Sequence, residues 1–189
     1  MDRCFRFLLF RSALRSIEYQ IRFDLDKYIL VTLHRPSNVD DPEILQEFIT
    51  ALQEISSEIP VLFPIHPRTK QRISEFGLDT SKSSVKFLEP FGYLDFLALQ
   101  SHATLVLTDS GGIQEETTYL NIPCLTAREN TERPITISLG TNRLVDRKSP
   151  AIVRAIRDRI SEGIGSHPPP PLWDGKTAQR IIEVMRKVG

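Results

Sequence analysis

Short apolar runs alternate with amphipathic segments along this chain from residue 28 onward, and that alternation restricts the folds open to it. The apolar runs have the length and β-rich composition of buried strands, and the intervening segments repeat their apolar residues at helical spacing. Nearly continuous apolar strands separated by helices are typical of a parallel sheet covered by helices on both faces. We therefore predict an α/β fold, a three-layer Rossmann-like domain with a mostly parallel sheet.

The apolar spacing divides the chain into a regular series of elements. The clearest helix has Asp40 or Asp41 as its cap and Pro42 in its first turn. A run of prolines from Pro168 to Pro171 predicts a stiff extended segment. The predicted strands cover residues 28–33, 61–65, 85–88, 105–108, 122–126 and 143–145, and the predicted helices cover residues 40–57, 68–76, 93–101, 113–120, 149–162 and 176–188.

The length of 189 residues allows one domain with a full hydrophobic core, and we assign residues 25–189 to it. Residues 1–24 are set apart as an N-terminal extension or the remnant of a segment between domains. Arginines are spaced among Phe and Leu in that stretch, which is a feature of transit peptides. An amphipathic helix or the ragged start of a truncated chain explains it equally well, and the last is the simplest interpretation.

Composition limits the partners that we expect. Lys plus Arg and Asp plus Glu both number 24, so the formal net charge is zero, which argues against a broad nucleic-acid surface. The 2 cysteines do not indicate a disulfide framework and fit a reducing compartment, so we expect a cytoplasmic protein, with Cys124 in its core. The apolar run from Phe7 to Phe10 is too short to span a membrane, and no membrane association is expected. Scattered His and Cys residues predict no metal site, and no cofactor is expected.

A glycine-rich stretch, Ser110-Gly111-Gly112, lies between the fourth predicted strand and the helix that follows it. Glycines let the backbone approach a ligand closely, and the first N–H groups of a helix favour phosphate or diphosphate. Glu115 and Glu116 are predicted in the first helical turn, where a carboxylate could accept hydrogen bonds from sugar hydroxyls. Alternatively, the glycines only form a tight turn and the acids only cap a helix, since short glycine motifs give many false positives.

Polar residues also follow other predicted strands, at the edge where ligands of parallel sheets bind. Arg35 could face a phosphate, while His34 could transfer a proton, bind a diphosphate oxygen or merely cap the sheet edge. His66 precedes Pro67, a combination that often only ends a strand. Arg133 follows the fifth predicted strand, where it could reach an anion or form a surface salt bridge.

Four motifs occur in order along the chain. Together they resemble the non-hydrolysing UDP-N-acetylglucosamine 2-epimerases over about residues 25–188, including Asp174-Gly175-Lys176. That family has a two-domain architecture of the glycosyltransferase-B type, and the resemblance implies that this chain is the C-terminal, nucleotide-binding half. The chain has Ser37 where many members have Glu, so the role of that acid is not carried over. The motifs are Leu30-Val31-Thr32-Leu33-His34-Arg35-Pro36-Ser37-Asn38-Val39-Asp40, Thr108-Asp109-Ser110-Gly111-Gly112-Ile113-Gln114-Glu115-Glu116, Asn130-Thr131-Glu132-Arg133-Pro134 and Gly140-Thr141-Asn142.

The resemblance implies UDP-GlcNAc or UDP as the ligand of the strand-end edge. Ser110, Gly111 and Gly112 would hold the diphosphate. Glu116 would bind the ribose hydroxyls, and Phe91 with its neighbours would flank the uracil.

The resemblance also implies roles for the remaining candidates. His34 and Arg133 would line the cleft near the diphosphate and the sugar, with His34 as the catalytic residue and Arg133 and Arg35 as substrate-binding residues. His66 would lie near the domain interface, where some bacterial members bind a regulatory UDP-GlcNAc.

The family reaction inverts carbon 2 of the GlcNAc unit by a process that resembles elimination of UDP and its re-addition, which needs proton transfer and stabilisation of the diphosphate. The resemblance implies that the carboxylates for proton transfer come from the N-terminal domain, so we expect this chain alone to bind without turnover. A homodimer or a separate N-terminal half is a possible partner. Two alternatives stay open: the nucleotide-sugar-binding half of a glycosyltransferase, and a non-catalytic module that binds UDP-sugars.

Overall fold

The computed structural model describes residues 26–81, 84–163, 165 and 167–188. Within them, six parallel strands form one sheet in the order β3-β2-β1-β4-β5-β6. The predicted α/β class and parallel sheet are confirmed, whereas the proposed extension at residues 1–24 lies outside the described residues. The strands are β1 (Ile29–Thr32), β2 (Val61–Pro64), β3 (Lys86–Leu88), β4 (Leu105–Thr108), β5 (Cys124–Thr126) and β6 (Asn142–Leu144).

The helices follow the prediction at most positions, with boundaries that differ by a few residues. Two short helices, α1 (Pro36–Val39) and α6 (Ile135–Ser138), were not predicted, because one helical turn is too short to show an apolar period. Helix α5 begins earlier than predicted, at Gly111. The helices are α1 (Pro36–Val39), α2 (Pro42–Ile55), α3 (Pro67–Glu75), α4 (Tyr93–His102), α5 (Gly111–Leu120), α6 (Ile135–Ser138), α7 (Ser149–Glu162) and α8 (Thr177–Val188).

Local chemistry explains where two of these helices begin. Oδ1 of Asp41 accepts hydrogen bonds from the backbone N–H groups of Glu43 and Ile44, and Pro42 occupies the first position of α2. This is a side-chain cap followed by a residue whose backbone is already set for a helix. His66 plays the same part for α3, since its Nδ1 accepts from the N–H of Arg68 at 3.2 Å.

The core lies on both faces of the sheet. Ile29 and Val31 of β1 join a large cluster with residues of α2 and α7, while Leu30 joins a second cluster with Leu99 and Ile122 on the other face. Successive side chains of a strand point to opposite faces, so a continuous apolar strand requires helices on both sides. Cys124 is fully buried, as predicted.

The strand order contains one reversal of direction. From β1 the chain proceeds outward through β2 and β3, then returns to place β4 on the other side of β1. Ligands of open parallel sheets bind at such a point, in the crevice outside the carboxyl ends of the two strands. The crevice is therefore expected between the ends of β1 and β4.

In the part of the chain that the structure describes, no helix is long and apolar enough to cross a membrane.

Candidate functional site

The segments that follow β1 and β4 meet at one edge of the sheet. Thr32 and Thr108 are register partners in the parallel pair, so the residues after them emerge side by side. His34 and Arg35 thereby reach the same place as the Ser110-Gly111-Gly112 stretch. The prediction that polar strand ends share an edge is confirmed, and the shared edge is the reversal point.

Asp109 joins these two segments, and no separate role was predicted for it. Its side chain is 0% exposed. The carboxylate accepts hydrogen bonds from the backbone N–H groups of His34 at 3.0 Å and Arg35 at 2.9 Å. The side-chain amide of Asn38 donates to it as well, at 3.2 Å. A carboxylate at the end of β4 therefore organises the loop that follows β1.

The imidazole of His34 is bound to the same carboxylate. Nδ1 of His34 lies 2.9 Å from Oδ1 of Asp109, and the His34 side chain is 38% exposed. The hydrogen bond that His34 donates to Asp109 raises the pKa of His34 above its ordinary value. Burial alone would raise the pKa of Asp109, but the hydrogen bonds from His34 and Arg35 outweigh it and hold that pKa below its usual range. The pair therefore favours an imidazolium beside a carboxylate.

The phosphate-site candidates lie at the beginning of α5 rather than in a turn. Ser110 is the N-cap residue without a side-chain capping hydrogen bond, and Gly111 and Gly112 are the first helical residues. A Cβ at either glycine would meet nothing within 4 Å, and neither has the positive φ that favours glycine. The interpretation as a tight turn is wrong. Glycine is needed here for neither backbone conformation nor packing, and a Cβ at either position would enter open space.

The two acids of this helix lie further along than predicted. The first turn of α5 contains no acidic residue, so the placement of Glu115 and Glu116 there is wrong. The prediction missed the helix start because glycine is a poor helix former. Oε1 of Glu116 instead accepts a hydrogen bond from the hydroxyl of Tyr93 at 3.0 Å. Burial raises the pKa of Glu116 above its ordinary value despite that bond.

Arginines near the crevice are paired with acids. Nε of Arg133 lies 3.0 Å from Oε1 of Glu115. Arg35 lies 3.8 Å from Glu132, which Arg128 also binds at 2.7 Å. The Arg133–Glu115 and Arg35–Glu132 pairs are partly exposed on both sides, so each contributes little to stability and can rearrange around an anion.

A buried polar network connects the start of α5 to the loop that carries Arg133. Gln114 is 0% exposed, and its amide donates to the carbonyl of Ser110 at 3.3 Å. Its Oε1 accepts from Thr131 at 2.6 Å and from Asn142 at 3.2 Å. Thr131 in turn accepts from the backbone N–H of Arg133 at 3.0 Å. Gln114 was not predicted as a site residue, yet it sets where the loop sits relative to the helix.

The remaining candidates lie on the β2 and β3 side of the crevice. The rings of His34 and His66 are 5.7 Å apart, so the two histidines are neighbours. Phe91 follows β3 and packs against the smaller core cluster. The uracil contact of Phe91 and the regulatory role of His66 stay predictions. Among the described residues, no group of three or more His, Cys, Asp or Glu side chains is placed to hold a metal ion.

Comparison with known proteins shows which family the sequence matches. A family model described as UDP-N-acetylglucosamine 2-epimerase matches residues 7–186, a range that includes most of residues 1–24. The curated UDP-N-acetylglucosamine 2-epimerase of Methanocaldococcus jannaschii is 42% identical over 165 residues, covering 85% of this chain and 44% of the relative. The UDP-2,3-diacetamido-2,3-dideoxy-D-glucuronate 2-epimerase of Pseudomonas aeruginosa is 38% identical, covering 86% of this chain and 45% of the relative.

A solved structure from the same organism as one of these relatives also matches the fold of this chain. The Methanocaldococcus jannaschii UDP-GlcNAc 2-epimerase in complex with UDP-GlcNAc and UDP matches with a TM-score of 0.78 at 36% identity. The match covers 95% of this chain and 53% of that one. The chain thus spans about half the length of the relatives and the structure that it matches.

Proposed function

The chain belongs to the UDP-N-acetylglucosamine 2-epimerase family, and we propose that it is the C-terminal, UDP-binding half of such an enzyme. One observation carries the proposal. The reversal point between β1 and β4 holds a basic pair, His34 and Arg35, beside a helix N-terminus with two unobstructed glycines. Positive charge and free N–H groups at one crevice suit a diphosphate.

We place the parts of UDP by their chemistry. The diphosphate would lie over Ser110, Gly111 and Gly112, within reach of Arg35 after its pair with Glu132 opens. Glu116 would turn its carboxylate to the ribose hydroxyls. Phe91, half-buried at the end of β3, would flank the uracil. The solved relative in complex with UDP-GlcNAc and UDP supports a nucleotide-sugar ligand for the family.

In the proposed reaction, a base removes the proton of carbon 2 and UDP departs from carbon 1, which leaves a glycal. UDP then adds back and carbon 2 regains a proton on the opposite face. This half would stabilise the charge on the departing diphosphate through the α5 N–H groups and the His34 imidazolium. The carboxylates that transfer the carbon-2 proton would come from the other half. On this account the 189-residue chain alone binds UDP without epimerising UDP-GlcNAc to UDP-ManNAc.

A second UDP-sugar is also a candidate substrate. The Pseudomonas aeruginosa relative acts, by its name, on UDP-2,3-diacetamido-2,3-dideoxy-D-glucuronate, and it is 38% identical to this chain. Both substrates share UDP and differ in the sugar. We propose UDP-GlcNAc because the relative that carries that name is 42% identical. The enzyme would work in the cytoplasm and supply cell-envelope polysaccharide synthesis.

Titration calorimetry tests the binding proposal. The chain should bind UDP and UDP-GlcNAc, bind inorganic diphosphate more weakly, and lose most of the UDP signal in Gly111→Val. Equal binding of UDP by the wild type and Gly111→Val would contradict the assignment. A glycosylated acceptor formed after assembly with an N-terminal half would instead indicate a glycosyltransferase.

A further inference from the structure

We propose that Asp109 is the positioning residue for His34: it fixes the ring orientation and keeps a proton on Nδ1, so that Nε2 faces the diphosphate and is the nitrogen that gains and loses the titrating proton. This inference rests on the proposed function, because the diphosphate is the group that His34 would serve. The residue acts through His34 and need not touch the ligand itself.

The hydrogen bonds of Asp109 point to this role. Its carboxylate receives the backbone N–H groups of His34 and Arg35 at 3.0 and 2.9 Å and lies 2.9 Å from Nδ1 of His34. Backbone and ring of the same histidine are thus tied to one carboxylate. Two attachment points leave the imidazole little freedom, which is how a carboxylate sets the tautomer of a catalytic histidine.

Asp109 is itself held in place. Asn38 is buried and donates to Asp109 at 3.2 Å and to the carbonyl of Ala127 at 3.0 Å. Ala127 follows β5, so one amide connects the ends of three neighbouring strands. An ionised carboxylate that is 0% exposed needs such partners, because an unpaired buried charge is strongly unfavourable.

The charges around His34 favour the cation. Asp109 acts through a hydrogen bond and through its charge, Arg35 opposes it, and the ring of His66 lies 5.7 Å away. The hydrogen bond to Asp109 and the charge of Asp109 outweigh burial and the charge of Arg35, which both lower the pKa of His34, so that pKa is raised. With Nδ1 occupied by Asp109, a proton gained or lost on titration belongs to Nε2.

Asp109→Asn separates this role from a purely structural one. An asparagine oxygen can still accept from the backbone N–H groups of His34 and Arg35, but the change removes the charge that favours the imidazolium. The amide NH2 of the asparagine would then lie beside Nδ1 and donate to it, so nitrogen-15 NMR of the imidazole should show a lower His34 pKa and a neutral form protonated at Nε2 in Asp109→Asn. The affinity for UDP should fall about tenfold or more where wild-type His34 is charged, as expected for a weakened hydrogen bond between charged groups. Asp40→Asn is the matched control, since Asp40 pairs with Arg68 and Arg72 instead.

The wild-type chain provides a second measurement if Asp109→Asn does not fold. Nδ1 of His34 should keep its proton above the His34 pKa, with Nε2 as the titrating nitrogen. A neutral His34 protonated at Nε2, or an unchanged His34 pKa in a folded Asp109→Asn, would overturn the inference. Both readouts are free of ligand. A wild-type chain that shows them but does not bind UDP would contradict the proposed function and leave the positioning role intact.

Discussion

The hydroxyl of Tyr93 donates a hydrogen bond to Oε1 of Glu116 over 3.0 Å. The contact joins the start of α4, just after β3, to the second turn of α5. It brings Glu116 to the same side of the crevice as Phe91, which is where the ribose and the uracil of UDP are proposed to lie.

Glu116→Ala should therefore weaken UDP by about 1.5–3 kcal/mol, the range for a hydrogen bond to a charged group. Inorganic diphosphate has no ribose, so its affinity should change far less. Glu54→Ala is the control, because Glu54 is an exposed helical acid whose partner, Arg157, has no proposed role in binding. Calorimetry with both ligands decides the point, and equal losses for UDP and diphosphate would place Glu116 outside the ribose site.

A larger side chain should impair UDP binding at Gly111 and stability at Gly140. A Cβ at Gly111 meets nothing within 4 Å, whereas a Cβ at Gly140 would lie 2.5 Å from the carbonyl oxygen of Thr136. Gly111→Ala should leave thermal stability nearly unchanged, and Gly111→Val should abolish most UDP binding without unfolding the chain. Gly140→Ala should destabilise by about 1–3 kcal/mol, the usual cost of overpacking. Denaturant unfolding and calorimetry on the same samples separate the two effects, and a stability loss in Gly111→Val equal to that of Gly140→Ala would contradict this account.

The His34–Asp109 pair predicts how stability depends on pH. The pKa of His34 is raised in the folded state, so its contribution is complete below about pH 6.5 and is lost as pH rises through the higher folded pKa. The pKa of Asp109 is lowered, so its contribution is present above about pH 3.9 and is lost as pH falls through the lower folded pKa.

The contribution of His34 to the pH dependence of stability can be measured with His34→Gln. The wild type should be more stable than His34→Gln near pH 6, and the difference should shrink as pH rises to about 9. Thermal unfolding across that range measures it. A difference that grows with pH would mean that His34 is bound as the neutral imidazole.

Proton exchange at carbon 2 tests whether this chain can carry out chemistry alone. In deuterated water the purified 189-residue chain should bind UDP-GlcNAc without incorporating deuterium, because half a cleft leaves the sugar open to solvent. Mass spectrometry of the recovered sugar nucleotide reports the exchange. Incorporation that disappears in His34→Ala would show that this half contains its own base.

Much of the fold follows from the sequence, for reasons visible in particular elements. The strand Leu105–Thr108 was predicted with its observed bounds because it is apolar on both faces and ends at polar residues. The start of α5 was missed because Gly111 and Gly112 have low helix propensity and are typical of turns. In the structure a Cβ at either position would meet nothing within 4 Å.

The sequence predicted which residues of the candidate site follow the strands, but not which side chains contact one another there. His34 and Arg35 could be chosen because they follow a strand, and strand ends of a parallel sheet share an edge. The partner of His34 could not be predicted from the sequence, because Asp109 is 75 residues away in the chain and reaches His34 only through the pairing of β1 with β4. Gln114 was missed for a similar reason, because its bonds to Thr131 and Asn142 depend on tertiary packing.

The most direct test of the central proposal is to map UDP on the nitrogen-15-labelled chain by NMR. UDP at the reversal point should shift the amides of Gly111, Gly112 and Ile113 most, together with His34 and Arg35. Those amides should move much less in Gly111→Val. Shifts concentrated instead around Ile55, Ile59 and Ile160, which line a groove near the amino ends of the strands, would contradict the account, as would no shifts at all.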